Sequence, residues 1–166
     1  MSASMVDLSE RAEAAARELV RRAAESGLTV STAESCTAGM VASLIADVPG
    51  ASEVLRGGAV TYCDEIKHRV LGVSEDTLAR FTAVSRQTAA EMAEGSLELF
   101  GAGAAVSLTG YAGPGGGTAE DPAGTVYIGC CHDGACTVER HVFQGGRNEV
   151  RLAAAVRALE LLIGCC

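Results

Sequence analysis

Residues 28–46 read LTVSTAESCTAGMVASLIA, and the change of period inside that stretch decides the fold. Leu28 to Ala33 alternates and carries β-branched Thr29, Val30 and Thr32, which suits a strand. From about Thr37 to Ala46 the apolar residues Met40, Val41, Leu44 and Ile45 recur at helical spacing, until Pro49-Gly50 breaks the run. A strand that passes through a short polar turn into a helix is the unit from which α/β folds are built. The turn, Glu34-Ser35-Cys36-Thr37, lies at the end of the strand, facing the crevice where such folds bind ligands.

The same alternation of periods extends in both directions. Upstream, Leu8, Ala12, Ala15, Leu19 and Ala23 mark one face of a helix over 5–26, with Glu10, Arg11, Glu18 and Arg22 between them and Gly27 as its stop. Downstream the pattern predicts a strand over 57–62, short helices over 64–71 and 74–80, and a longer helix capped by Ser85 and running to Phe100. Residues 104–109 form a compact apolar run suited to a buried strand. The stretch 110–124, GYAGPGGGTAEDPAG, holds six glycines and two prolines and reads as loop. Strands over 125–131 and 135–143 form a hairpin turning at Asp133-Gly134, and a helix over 148–163 closes the chain. The expectation is a single three-layer α/β/α domain over residues 1–166. Its sheet is mixed and mostly parallel with a C-terminal β-hairpin, and residues 1–4 and 164–166 are frayed.

Composition narrows the function. The 166 residues are 48% hydrophobic but only 4% aromatic, so the core is aliphatic. A formal charge of -8 argues against binding nucleic acid, whose affinity rests on Lys and Arg against phosphates. No apolar run approaches the roughly 20 residues of a membrane span, and no leader pattern opens the chain, so a cytoplasmic location is expected. The seven cysteines show no C-x-x-C, and reduced thiols serving as small hydrophobes are the expectation. No His/Asp/Glu group has metal-ligand spacing, so no metal is expected. The Ala-rich helices permit a homo-oligomer.

Two readings of Ser35 and Thr37 stand on local pattern: the N-cap of the following helix, or a nucleophile beside backbone amides. A nucleophilic hydroxyl needs a base, and none of His68, His132 and His141 falls into a His/Asp arrangement. The single lysine of the chain, Lys67, lies in TYCDEIK (61–67), five residues after Tyr62. Buried there it would lose its proton more readily; on the surface it would be an ordinary lysine. The loop GPGGG (113–117) can aim amides at an anion, though it does not match G-x-x-x-x-G-K-S/T. FQGGRNEVR (143–151) places Arg147 at the start of the last helix, another anion-friendly position.

TAESCTAG (32–39), GGAVTYCDEIKHRVLGV (57–73), AVSRQTAAEMAEG (83–95), SLTGYAGPGGG (107–117) and DPAGTVYIG (121–129), in that order, resemble the CinA C-terminal domain family. Its members include stand-alone nicotinamide mononucleotide deamidases, amidohydrolases of pyridine nucleotide recycling, and this chain looks like that form. The resemblance implies nicotinamide mononucleotide as substrate, no cofactor, Ser35 as nucleophile, Lys67 as base and Tyr62 orienting or relaying the proton. It also implies a substrate site drawn from Glu34, Cys36, Thr37, Thr109, Gly110, Gly113, Gly115, Gly116 and Arg147, with Glu34 a candidate partner for the pyridinium. The glycine loop and Arg147 would hold the ribose-phosphate end. The alternative is a non-catalytic nucleotide- or partner-binding module linked to competence and DNA damage. Three departures from the family pattern stand out: Ala38 for a glycine, Tyr111 for a smaller residue, and Gly146 for an acid. Ala38 is expected to hold an ordinary helical φ.

Overall fold

Alternation over 28–33 becomes strand β1 (Val30–Glu34) and the periodic run becomes helix α2 (Met40–Ala46) in the computed structural model, which describes residues 5–166. The other elements are α1 (Met5–Ser26), β2 (Leu55–Val60), α3 (Asp64–Leu71), α4 (Glu75–Phe81), α5 (Arg86–Phe100), β3 (Ala104–Gly110), β4 (Thr125–His132), β5 (Ala135–Val142) and α6 (Arg147–Ile163). Five strands form one mixed sheet in the order β2-β1-β3-β4-β5. β2, β1 and β3 are parallel, and β4 and β5 add antiparallel to them. All five residues of β1 are buried, as a central parallel strand covered on both faces requires. At the hairpin, Asp133 and Gly134 both have positive φ, 50° and 74°, the two-residue turn that matches strand twist.

Helices α1, α2 and α6 cover one face of the sheet, where Leu19, Val41, Ile45, Val106, Leu108, Ile128 and Leu159 are all fully buried. Burying each such side chain contributes about 2 kcal/mol. On the other face Ala33, Leu71, Val73 and Met92 pack together. Gly129 sets the approach of α5 to β4: a Cβ there would lie 2.6 Å from the Ala89 carbonyl oxygen. Ser74 and Ser85 cap α4 and α5 through bonds from the amides of Thr77 and Thr88.

Four expectations change. α2 starts at Met40, not Thr37, because the backbone turns at Ala38 and Gly39 with φ of 51° and 91°. Ala38 therefore sits in the left-handed region, not in a helical first turn. Cys131 and Cys136, directly opposed across β4 and β5, are joined as a disulfide, so these two are not free thiols. Residues 164–166 are not frayed: their amides bond to Glu160, Leu162 and Ile163 carbonyls, and Cys165 and Cys166 pack on the core. Residues 1–4, also expected to fray, lie outside the described residues. Among the described residues no helix is long and apolar enough to cross a membrane.

Candidate active site

The chain leaves the carboxyl ends of β1, β2 and β3 on one edge of the sheet. β2 and β3 lie on opposite sides of β1, so a crevice opens at its end, the position such folds use for ligands. Ser35 follows β1 directly, and its amide is held by the Leu108 carbonyl at 2.9 Å. Tyr62 follows β2, Thr109 and Gly110 end β3, and Lys67 rises from the first turn of α3. A cavity of about 230 Å³ fills the crevice.

Lys67 is 1% exposed, one of the largest fully buried side chains. Its Nζ donates to Ser35 Oγ at 3.1 Å, to the Thr61 carbonyl at 2.9 Å and to the Tyr62 carbonyl at 3.4 Å. Burial disfavours the ammonium and lowers its pKa; the charge of Asp64 opposes that shift in part. Two carbonyls can take the two N–H groups of a neutral amine, which leaves the lone pair for the Ser35 proton. The buried reading of Lys67 therefore holds over the surface one.

Of the sequence-derived set, Ser35, Cys36, Tyr62, Lys67, Thr109, Gly110, Gly113, Gly115 and Arg147 line the cavity. Glu34, Thr37 and Gly116 do not. The Glu34 carboxylate is fully buried and accepts from the amides of Val41 and Ala42 at 3.1 and 3.0 Å. It anchors the start of α2 and is not presented to a cation in the crevice. Nor are the leading amides of α2 open to an anion, because that carboxylate occupies them. The Thr37 hydroxyl is fully buried without a hydrogen-bond partner, and the hydroxyl paired with the amine is that of Ser35. The Cys36 thiol is pushed up to about 11 by burial, which keeps it protonated and out of competition as nucleophile.

The Tyr62 hydroxyl accepts a bond from Arg147 at 3.0 Å rather than reaching Lys67, so only its backbone carbonyl touches the amine. Arg147 also donates to the Gly113 carbonyl at 3.0 Å and thereby ties the glycine loop to α6. Thr109 Oγ1 is spent on the Ala83 carbonyl at 2.6 Å. The far side of the glycine loop is fixed by Asp121, which accepts from Arg140 Nε at 2.8 Å and Tyr127 Oη at 3.1 Å.

Sequence reasoning missed Arg151. Its guanidinium donates to the Cys36 and Thr37 carbonyls, each at 3.0 Å, and so clamps the turn that carries Ser35. The signal was present: Arg151 stands four residues after Arg147, on the same side of α6. It also missed Ala83 and Val84, which line the cavity from the link between α4 and α5 and carry no chemical signature. Among the described residues Glu94, Cys131 and Cys136 place potential metal-ligand atoms within 4.8 Å of one another, but the two sulfurs are bonded to each other.

A profile of the CinA C-terminal domain matches residues 12–166. The CinA-like protein of Myxococcus xanthus is 50% identical over 155 residues, 93% of this chain and 36% of its own length. That of Thermotoga maritima is 49% identical over 134 residues, 81% of this chain and 33% of its own length. The chain thus spans about a third of these curated relatives. The crystal structure of the competence/damage inducible protein CihA from Agrobacterium tumefaciens superposes with a TM-score of 0.91 at 43% identity, covering 93% of this chain and 95% of that one. A competence-damaged protein (CinA) superfamily structure from Escherichia coli does so at 0.89 and 34%, covering 98% and 94%. With the profile spanning residues 12–166 and a relative 50% identical over 93% of this chain, the chain belongs to the CinA C-terminal domain family.

Proposed function

We propose that this chain is an amidohydrolase that converts nicotinamide mononucleotide to nicotinic acid mononucleotide and ammonia, with Ser35 as nucleophile and Lys67 as base. The observation that carries the reading is the buried Lys67 amine 3.1 Å from Ser35 Oγ. A serine proton is held too tightly at neutral pH for attack without such a partner.

Neutral Lys67 takes the Ser35 proton as Oγ bonds to the carboxamide carbon, whose carbonyl oxygen gains the negative charge. The amide of Ser35 is occupied by Leu108, so the donor for that oxygen comes from the next residue that lines the cavity, Cys36. The tetrahedral centre collapses, the C–N bond breaks, and the lysine proton leaves with ammonia. Water, deprotonated by the same amine, then splits the Ser35 ester and releases the carboxylate. The pyridinium withdraws electrons from the carboxamide and eases attack. The Arg147 guanidinium and the glycine loop suit the phosphate, with Tyr62 orienting Arg147.

Ser35→Ala should fold as the parent does and release no ammonia from nicotinamide mononucleotide. Ammonia release at the parental rate in that variant rejects the nucleophile. Arg147→Ala tests the phosphate end: it should raise KM for the mononucleotide and leave the slower turnover of its dephosphorylated riboside unchanged. An equal effect on both substrates removes the phosphate contact.

A further inference from the structure

β4 carries two adjacent cysteines whose side chains point to opposite faces of the sheet. Cys131 is joined to Cys136 on the α5 face. Cys130 faces the aliphatic core under α6, and its Sγ lies 3.7 Å from that of Cys165, which stands in the turn after α6. We propose that Cys130 and Cys165 form an oxidisable dithiol, a modification site at which a hydroperoxide links β4 to the end of α6.

The two sulfurs are unequal in the way the chemistry needs. Cys130 is 7% exposed, whereas Cys165 is half-buried and open to a small oxidant. A hydrogen bond from the Cys130 thiol, helped by the nearby His132 ring, holds the Cys165 thiol below the ordinary range despite some burial. The Cys130 thiol is shifted upward by that same bond and by burial. Cys165 is thus the attacking thiolate and Cys130 the resolving thiol. Cys166 is a poor rival, since burial raises its thiol and its sulfur is directed to the Leu162 carbonyl at 3.6 Å.

The steps balance. The Cys165 thiolate attacks one peroxide oxygen, the O–O bond breaks, and a sulfenic acid and one water form once a proton is taken up. The Cys130 sulfur then attacks the Cys165 sulfur and expels the hydroxyl group, which leaves with the thiol proton as a second water. Two thiols are oxidised to one disulfide and one hydrogen peroxide is reduced to two waters. A Sγ separation of 3.7 Å leaves the two sulfurs less than about 2 Å to close to the disulfide length of about 2.05 Å.

The test uses the full chain, fully reduced, treated with one equivalent of hydrogen peroxide, alkylated and mapped by mass spectrometry. The expected product is a Cys130–Cys165 cross-linked peptide lighter by two hydrogens than its reduced pair. Cys165→Ser should abolish it. Cys130→Ser should leave a Cys165 sulfenic acid that dimedone traps. A link from Cys165 to Cys166 or to a second chain, or both thiols still alkylatable after treatment, overturns the proposal. Cys165 lies at the far end of α6 from Arg147 and Arg151, so Cys165→Ser should hydrolyse the mononucleotide as the reduced parent does. The mapping result stands whatever becomes of the amidase reading.

Discussion

Lys67 pays for its place in the core with a disfavoured charge, and in the proposed amidase that same cost is what would let it act as a base. The proposed catalysis needs the neutral amine, so kcat/KM should rise with pH through one ionisation lying below the ordinary lysine value near 10.5. A pH–rate profile checks this; a rate that falls over that range would remove Lys67 as base. Lys67→Arg keeps a cation but cannot release its proton, and should lower kcat by about 10²-fold or more at every pH. The same group links stability to pH. With its pKa lowered in the fold, the unfolded chain binds the extra proton more readily, so stability falls as pH drops through the window below 10.5. Lys67→Met lacks that term, and its Tm relative to the parent should improve as pH falls from about 10 toward neutrality. Ala38 bears a different cost, a left-handed φ of 51° next to Gly39. Ala38→Gly should stabilise the fold by up to about 1 kcal/mol, since relief of the Cβ clash slightly exceeds the added entropy of the unfolded chain. Denaturant melts read the difference.

At the scale of elements, α6 does more than cover the sheet. Arg147 and Arg151, one turn apart, hold opposite walls of the crevice: one binds Tyr62 and the glycine loop, the other the turn after Ser35. Arg151 touches only backbone carbonyls of that turn and does not line the cavity, so its effect is on the placement of Ser35 Oγ. Arg151→Met should therefore lower kcat roughly 10- to 100-fold with little change in KM, the loss expected from a small misplacement of the proposed nucleophile. Arg151→Lys should recover only part, because one ammonium cannot span two carbonyls as a fork does. A variant that raised KM alone would assign Arg151 to substrate binding instead.

Across the whole molecule, what could be read in advance depended on locality. The period change at 28–46, the Ser85 cap and the Asp133-Gly134 turn are local signals, and each marked an element within a few residues of its observed place. Ser35 and Lys67 are 32 residues apart, and periodicity alone left each with two readings; the motif order joined them, and the 3.1 Å contact explains why they occur together. Long-range partners lay beyond reach: the spacing of Arg151 from Arg147 puts both on one side of α6 but does not name the turn 114 residues away that Arg151 holds, and nothing local joins Cys130 to Cys165. Glu139 belongs with them. From β5, at the edge of the sheet, its carboxylate takes two bonds from Arg157 of α6, both at 2.8 Å, and one from His141 at 2.7 Å. The Arg157 bonds and then the His141 bond draw its pKa down to about 2. A depressed carboxyl adds stability above its ordinary value near 4.5, and that contribution is lost as pH falls toward 2. A third of its side chain meets solvent, and screening reduces the effect to about 1 kcal/mol. Glu139→Gln should thus be less stable than the parent by that amount at pH 7. The gap should close between pH 4.5 and 2, where the parent carboxyl takes up its proton and loses the advantage. Parallel Tm curves for the two proteins across that window would mean that the edge strand is held to α6 by packing alone.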